Sequence, residues 1–334
     1  MEIKIDKTAS DQRFDRFLRK WFKKYPQVRL ADIYSAIRKG LIKVNSKRTK
    51  EEYRLKIWDI VRIDDKVQMW TEDLSLLVGQ KERKMEKVDI KKVKQWILYE
   101  DKHRIVFDKP AGIPMHPGNK HWNDLSMNDC LDKYGEQYKT DTFKPSFGYR
   151  LDRDTSGVLI AAKTYEALQY INSIIRERDI DKYYLTIVVG KFPRHLLIAK
   201  PLTKSYNKTS DRSQVKVDFD EWLEAKTECR LEKFIQHPLL GPISLLKVKI
   251  HTGRMHQIRV HVASEWYPVL GDIVYGNPAA NRILYTSLNI NRQLLHCRNY
   301  SFLDPFKDDQ IVFESPIPPD FQKVIQSKTI ASSK

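Results

Sequence analysis

Cysteine is scarce in this chain of 334 residues: Cys130, Cys229 and Cys297 stand far apart and are odd in number. No C-x-x-C pair occurs, so neither a disulfide framework nor a structural zinc site is expected. Long apolar runs are missing as well; none approaches the ~18 residues of a membrane-spanning helix. The first residues, MEIKIDKTASDQRF, lack the apolar stretch of a signal peptide. A cytoplasmic protein without membrane contact is the expectation. No GxGxxG or Walker pattern is present, so no nucleotide cofactor is expected. Acidic charge is in deficit: 43 Asp+Glu face 60 Lys+Arg, a net charge of +17. A balance this basic suggests a polyanionic partner, because cationic side chains that neutralise phosphates release counterions. Charge alone does not choose between RNA, DNA and an anionic membrane.

What is there begins with a small basic region. Between Asp11 and Arg62, 16 Lys/Arg stand against 6 Asp/Glu, which concentrates most of the excess charge in under a fifth of the chain. Phe14, Phe17, Leu18, Trp21 and Phe22 recur at helical spacing and predict one apolar stripe, with Asp11 as N-cap and Pro26 as the stop. A second helix is expected over Ala31 to Arg38, with Ile33, Ala36 and Ile37 inward and Gly40 as C-cap. Short strands over Leu41 to Val44 and Ile60 to Ile63 follow, with a turn at Asn45–Ser46. The expected domains are 1–72, a polar linker over 73–95 and a larger domain over 96–325. In the last, strands at Arg104 to Phe107, Val158 to Ala162, Tyr184 to Val189 and around Leu246, Val248 and Ile250 mix with a helix carrying Tyr165, Leu168, Ile171 and Ile175. Without regular βαβ spacing, this favours an α+β fold with a mixed, largely antiparallel sheet.

Residues 148–157, Gly-Tyr-Arg-Leu-Asp-Arg-Asp-Thr-Ser-Gly, carry the strongest chemical signal. They place charges on a turn that feeds directly into the apolar strand VLIAA. A carboxylate there can be held rigidly and still reach a substrate. On the residues alone, a structural ion pair between Asp152 and a neighbouring arginine is the competing reading.

The segment resembles the R-L-D-x-x-T-S-G signature of the RluA-type pseudouridine synthases, in the ribosomal large-subunit branch of that family. Three further runs follow the family's order: Tyr99 to Gly118 with its K-P-x-G turn, Lys182-Tyr-Tyr-Leu leading to Val188-Val-Gly190, and His251 to His261 with Pro268 to Asp272 and Tyr275-Gly276. Arg292 to His296 is similar to the family's C-terminal strand. The resemblance implies an isomerase that converts uridine in RNA to pseudouridine. It makes Asp152 the essential aspartate, Tyr184 the active-site tyrosine and Arg259 the arginine paired with the aspartate. Arg150 is then the arginine that helps displace the target nucleotide, and Arg153, Lys182 and Arg254 are further candidates for RNA contact, while His256 and Gln257 either brace the active site or touch RNA. Tyr149 stands where many members have histidine. The N-terminal run resembles the alpha-L RNA-binding motif, a small α/β domain, which makes Arg29, Arg38, Lys39, Lys43, Lys47 and Arg48 candidate phosphate contacts.

These residue types suit the reaction. The N-glycosidic bond breaks, the uracil turns, and its carbon-5 joins the ribose. No redox step and no cofactor are required. One carboxylate suffices if it stays ionised, which a neighbouring guanidinium favours. The tyrosine is expected to stack on the uracil and to handle a proton at carbon-5. The target must leave its stack, at a cost of a few kcal/mol. His251, His256 and His261 recur every five residues, a poor spacing for shared ligands on a helix, so no metal is expected. The partner is RNA, with large-subunit ribosomal RNA preferred. A tRNA synthase of the same chemistry and a non-catalytic RNA-binding assembly factor are the alternatives, and a monomer is expected.

Overall fold

A computed structural model describes residues 1–23, 25, 28, 30–68, 88–116, 125–207, 212–218 and 223–326. Arg29, Pro26 and most of the expected linker fall outside the described residues. The chain divides into two compact units. One comprises Met1–Ile90, Asp129–Pro145 and Lys163–Glu166; the other comprises Lys91–Asn128, Ser146–Ala162 and Ala167–Lys334.

The first unit opens with strand β1 (Glu2–Lys4), helix α1 (Phe14–Phe22) and helix α2 (Leu30–Lys39). Strands β2 (Ile42–Val44) and β3 (Ile60–Ile63) and a short helix α3 (Asp65–Gln68) follow. The strands form an antiparallel sheet in the order β1-β3-β2. Helical spacing decides what α1 buries: Phe14, Phe17, Leu18 and Phe22 enter the core, where Ile33, Ala36 and Ile37 of α2 join them. Gly40 caps α2 in the left-handed region at φ 70°, and Leu41 N–H reaches back to Ala36 O. Asn45 and Ser46 both adopt positive φ, as a tight two-residue turn requires. One expectation is corrected. Asp11 is not the cap of α1: it sits two residues further out at φ 61°, and its carboxylate accepts from Arg54. Arg13 occupies the cap position without a side-chain capping bond; its guanidinium donates to Asp15 instead.

Further along the chain come α4 (Ile90–Gln95), β4 (Ile97–Glu100), β5 (Arg104–Lys109), α5 (Met127–Tyr134), β6 (Ser146–Phe147), β7 (Ser156–Ala162) and α6 (Tyr165–Glu177). Next are β8 (Asp181–Val189), β9 (His195–Ala199), β10 (Leu202–Asn207), β11 (Arg212–Val217), β12 (Lys226–His237) and β13 (Gly241–Ile250). The chain closes with α7 (Gln257–Ser264), α8 (Pro278–Leu288), β14 (Leu295–Asp304), β15 (Asp309–Glu314) and α9 (Pro319–Ile325).

A ten-stranded sheet dominates the second unit, in the order β4-β5-β7-β14-β8-β13-β12-β9, with β15 beside β14 and β6 beside β7. Every pairing is antiparallel except β7 with β14, which is parallel. The fold is α+β with a mixed, largely antiparallel sheet. All seven residues of β7 are buried, as expected of a central strand covered on both faces. The second half of β13 alternates as the sequence suggests, with Leu246, Val248 and Ile250 inward. Helix α6 buries Ala167, Ile171 and Ile174, so its inner face is rotated from the stripe expected through Tyr165, Leu168 and Ile175. No described helix is long and apolar enough to cross a membrane. The three cysteines are buried free thiols.

Candidate active site

Three parts of the second unit converge on one cavity of about 520 Å³. The loop before β7 brings Asp152, β8 brings Tyr184, and α7 brings Arg259; all three line it. Asp152 is held from below. Lys109, at the end of β5, is fully buried, and its Nζ donates to the carbonyl oxygens of Pro110, Arg153 and Thr155 at 2.9, 2.8 and 3.0 Å. Burial pushes the Lys109 ammonium down to about 7. Three carbonyl acceptors nevertheless match the three N–H donors of its charged form. Gln293 donates to Thr155 Oγ1 at 2.9 Å, and Arg292 to Asp154 O at 3.1 Å. The loop that carries the carboxylate is thus fastened at three successive residues.

Arg259 lies between two carboxylates. Its Nη1 donates to Asp152 Oδ2 at 3.0 Å. Its Nε and Nη2 donate to Asp272 at 2.6 and 2.9 Å, a bidentate pair in which both side chains are buried. Burial works against charge on both partners, yet their mutual attraction raises Arg259 above its ordinary value and lowers Asp272 below its own. Asp272 also accepts from the N–H groups of Val274 and Tyr275. One end of the guanidinium is therefore spent on fixing the other end toward Asp152.

Tyr184 is only 6% exposed. Burial, joined by the nearby Cys297 thiol, pushes its hydroxyl well up, and side-chain hydrogen bonds tie that hydroxyl to Tyr300 and Cys297. Tyr184 lines the cavity, where its ring is available for stacking on a base. Tyr149 stacks on Tyr300, with centroids 4.7 Å apart. Its hydroxyl donates to Val158 O and accepts from Ile160 N–H, both at 3.1 Å. The tyrosine in the histidine position therefore staples the loop to β7.

The RNA-contact candidates separate into classes. Arg150 and Arg254 are exposed and line the cavity. Arg153 is exposed and lies 3.4 Å from Asp154. Lys182 lines the cavity but is buried, which lowers its ammonium. For Gln257 the geometry favours the bracing reading over RNA contact: it is 3% exposed, accepts from Thr252 Oγ1 and Arg254 N–H, and donates to Lys226 O and Thr227 Oγ1. Its amide has no capacity left for RNA, and it braces the turn before α7. In the first unit, Arg38, Lys39, Lys43, Lys47 and Arg48 are all exposed.

Three residues at the site had no role assigned from sequence: Lys109, Asp272 and Tyr275. Each lies in a run that sequence analysis singled out, which was the available signal. The three spaced histidines have separate surroundings: His251 faces Glu228, His256 bonds Tyr275, and His261 bonds Thr227 and Lys200 O. No group of His, Cys, Asp and Glu suited to a metal occurs among the described residues.

A sequence profile of the RNA pseudouridylate synthase family matches residues 103–264. The chain is 32% identical over 326 residues to the ribosomal large subunit pseudouridine synthase C of Buchnera aphidicola subsp. Acyrthosiphon pisum (strain APS), covering 97% of this chain and 96% of the relative. A protein of the same name from Vibrio vulnificus (strain CMCP6) is 31% identical over 333 residues, with 97% and 95% covered. Among solved structures, the human RNA pseudouridylate synthase domain containing 4 has the same fold: TM-score 0.55 at 20% identity, over 71% of this chain and 94% of that one.

Proposed function

This chain belongs to the RNA pseudouridylate synthase family, and from that premise we propose that it isomerises uridines of large-subunit ribosomal RNA, with Asp152 as the carboxylate that acts on the target nucleotide. The observation that carries the substrate is the similarity along nearly the whole chain to relatives named for the ribosomal large subunit. The arrangement of Asp152, Arg259 and Tyr184 around one cavity supports the site.

The reaction is balanced within the nucleotide. The bond between N1 and the ribose C1′ breaks, and a bond from C5 to C1′ forms. C5 loses a proton, and N1 gains one. Asp152 supplies the negative charge that assists departure of the base, either as nucleophile or by stabilising the sugar cation. Arg259 holds that carboxylate in place, and the Tyr184 ring forms a wall against which the uracil can turn. The uridine is extruded from its stack to reach the cavity, and Arg150, exposed at the cavity, fills the gap it leaves. The exposed cations of the first unit, Arg38, Lys39, Lys43, Lys47 and Arg48, bind phosphates elsewhere on the RNA. A ribosomal substrate supports a cytoplasmic location.

Tritium release from RNA labelled at uracil carbon-5 tests this reading. Wild type is expected to release tritium from large-subunit ribosomal RNA in preference to tRNA, and Asp152→Asn to release none. Equal turnover by Asp152→Asn would remove the aspartate from the chemistry; preference for tRNA would change the substrate.

A further inference from the structure

His256 stands where the backbone takes an uncommon conformation beside the site. It occupies the position immediately before α7 in the left-handed region, at φ 54°. Few non-glycine residues adopt that region; histidine is among those enriched there, with Asn and Asp, and the surroundings decide whether such a conformation persists. Here they hold it. His256 Nδ1 lies 2.9 Å from the hydroxyl oxygen of Tyr275, and the two rings meet edge to face. The same oxygen accepts a hydrogen bond from Val215 N–H of β11 at 2.8 Å. The other ring nitrogen, Nε2, points toward Asp152 and lies 3.8 Å from Oδ2.

This chain of contacts accommodates one arrangement of protons that aims an N–H at Asp152. Val215 N–H can only donate, so the Tyr275 oxygen accepts there. That oxygen keeps a second lone pair and its own proton, and the arrangement we adopt directs this proton to His256 Nδ1, which accepts it with its lone pair. A neutral imidazole whose Nδ1 accepts carries its proton on Nε2. That N–H faces Asp152 Oδ2, the oxygen to which Arg259 Nη1 already donates. At 3.8 Å the separation is longer than a hydrogen bond, and separations of this kind tighten in the Michaelis complex. Burial favours the neutral ring.

We propose that His256 is a positioning residue for the isomerisation: through Tyr275 it is set as an Nε2–H donor that, with Arg259, restrains Oδ2 of Asp152 and leaves Oδ1 as the oxygen that meets the nucleotide. The inference rests on the assignment of Asp152 above. It assigns the two carboxylate oxygens different tasks and makes the β10–β11 ribbon, through Val215 N–H, part of the support of the site.

Two amide replacements of different length separate this role from a loop-shaping one. His256→Asn tolerates the left-handed backbone, but its side chain is too short to bring a donor to Asp152. His256→Gln places an amide N–H close to where Nε2 stands. Steady-state tritium release is measured for both, for Tyr275→Phe and for Asp152→Asn, after circular dichroism has verified folding. His256→Asn is expected to lower kcat on the order of tenfold to a hundredfold with KM for RNA little changed. His256→Gln is expected to recover most of that loss, and Tyr275→Phe to fall between them. Equal losses in Asn and Gln, a change confined to KM, or no loss in either would each overturn the positioning role. Turnover by Asp152→Asn would instead strike at the assignment of Asp152 itself, so the two failures are told apart in one experiment.

Discussion

At the scale of single residues, the site is a set of fixed charges in which one guanidinium serves two carboxylates. Asp272 has no exposed side-chain surface, and its partner Arg259 has 5%. Truncating one member of such a pair leaves the other charge buried without its counter-ion, at about 3 kcal/mol or more. Asp272→Asn is therefore expected to lower the melting temperature and also turnover, because Arg259 is then free to turn away from Asp152. Acidity should reveal the same pair. Burial opposes the charge on Asp272, but Arg259 and two backbone N–H groups hold its carboxyl below the ordinary 3.8. A group that binds its proton more weakly in the folded state contributes fully above the ordinary value, and that contribution is lost as the pH falls through the depressed one. Wild-type stability should thus decline below about pH 4, and Asp272→Asn should start lower and decline less steeply. Calorimetry across that range checks it; parallel curves would mean that the pair is not linked to stability. Asp152, Tyr184 and Arg259 were legible in the sequence because each sits in a run of recognisable order. The partners that aim them were not, since Lys109 meets Thr155 and Asp272 meets Arg259 only through the fold, and a motif does not state which atom of a side chain is occupied.

At the scale of elements, the loop carrying Asp152 depends on how β7 joins the sheet. The Thr-Ser-Gly run reads in sequence as a turn, yet Ser156 and Gly157 already belong to the strand and pair with His296 and Cys297 of β14. This is the parallel junction in an otherwise antiparallel sheet, and the two backbones approach closely there. Gly157 has φ 112°, and a Cβ on it would lie 2.1 Å from Cys297 O. Gly157→Ala is expected to cost about 3 kcal/mol or more, since both the backbone conformation and the strand contact resist it. A urea midpoint equal to that of wild type would contradict the account. Strands β2, β3, β5, β7, β8 and β13 were legible because alternation and apolar runs state their buried faces directly; β9 and β12, with mostly exposed or half-exposed residues, were not. Their order was not, because β14 inserts between β7 and β8 after more than a hundred intervening residues. Helix α6 shows the limit of periodicity: Tyr165, Leu168, Ile171, Ile174 and Ile175 offer overlapping stripes, and the neighbours decided that Ala167, Ile171 and Ile174 face inward.

At the scale of the molecule, the distribution of charge should govern how RNA is held. The run from Asp11 to Arg62 carries 16 Lys/Arg against 6 Asp/Glu, and its lysines and arginines at 38, 39, 43, 47 and 48 are exposed. Removing residues 1–72 is an unclean test of their role. The first unit also contains Asp129–Pro145 and Lys163–Glu166, and Thr142 of that segment donates to Asp6 at 2.6 Å. Truncation would therefore strip partners from segments that stay behind. Side-chain replacement leaves the unit whole. In Lys43→Ala/Lys47→Ala/Arg48→Ala the core residues Ile42 and Val44 are untouched, so folding should be preserved. Each cation that no longer neutralises a phosphate releases about 0.7 to 0.9 counterion fewer, so the triple replacement should lower the slope of log affinity against log salt by roughly two to three. Affinity for ribosomal RNA at low salt should fall, and the wild-type and variant curves should converge as salt rises and screens the remaining charges. Filter binding across a salt series measures both. An unchanged slope with weaker binding would mean that these side chains act other than through phosphates, and unchanged slope and affinity together would remove the face from RNA recognition.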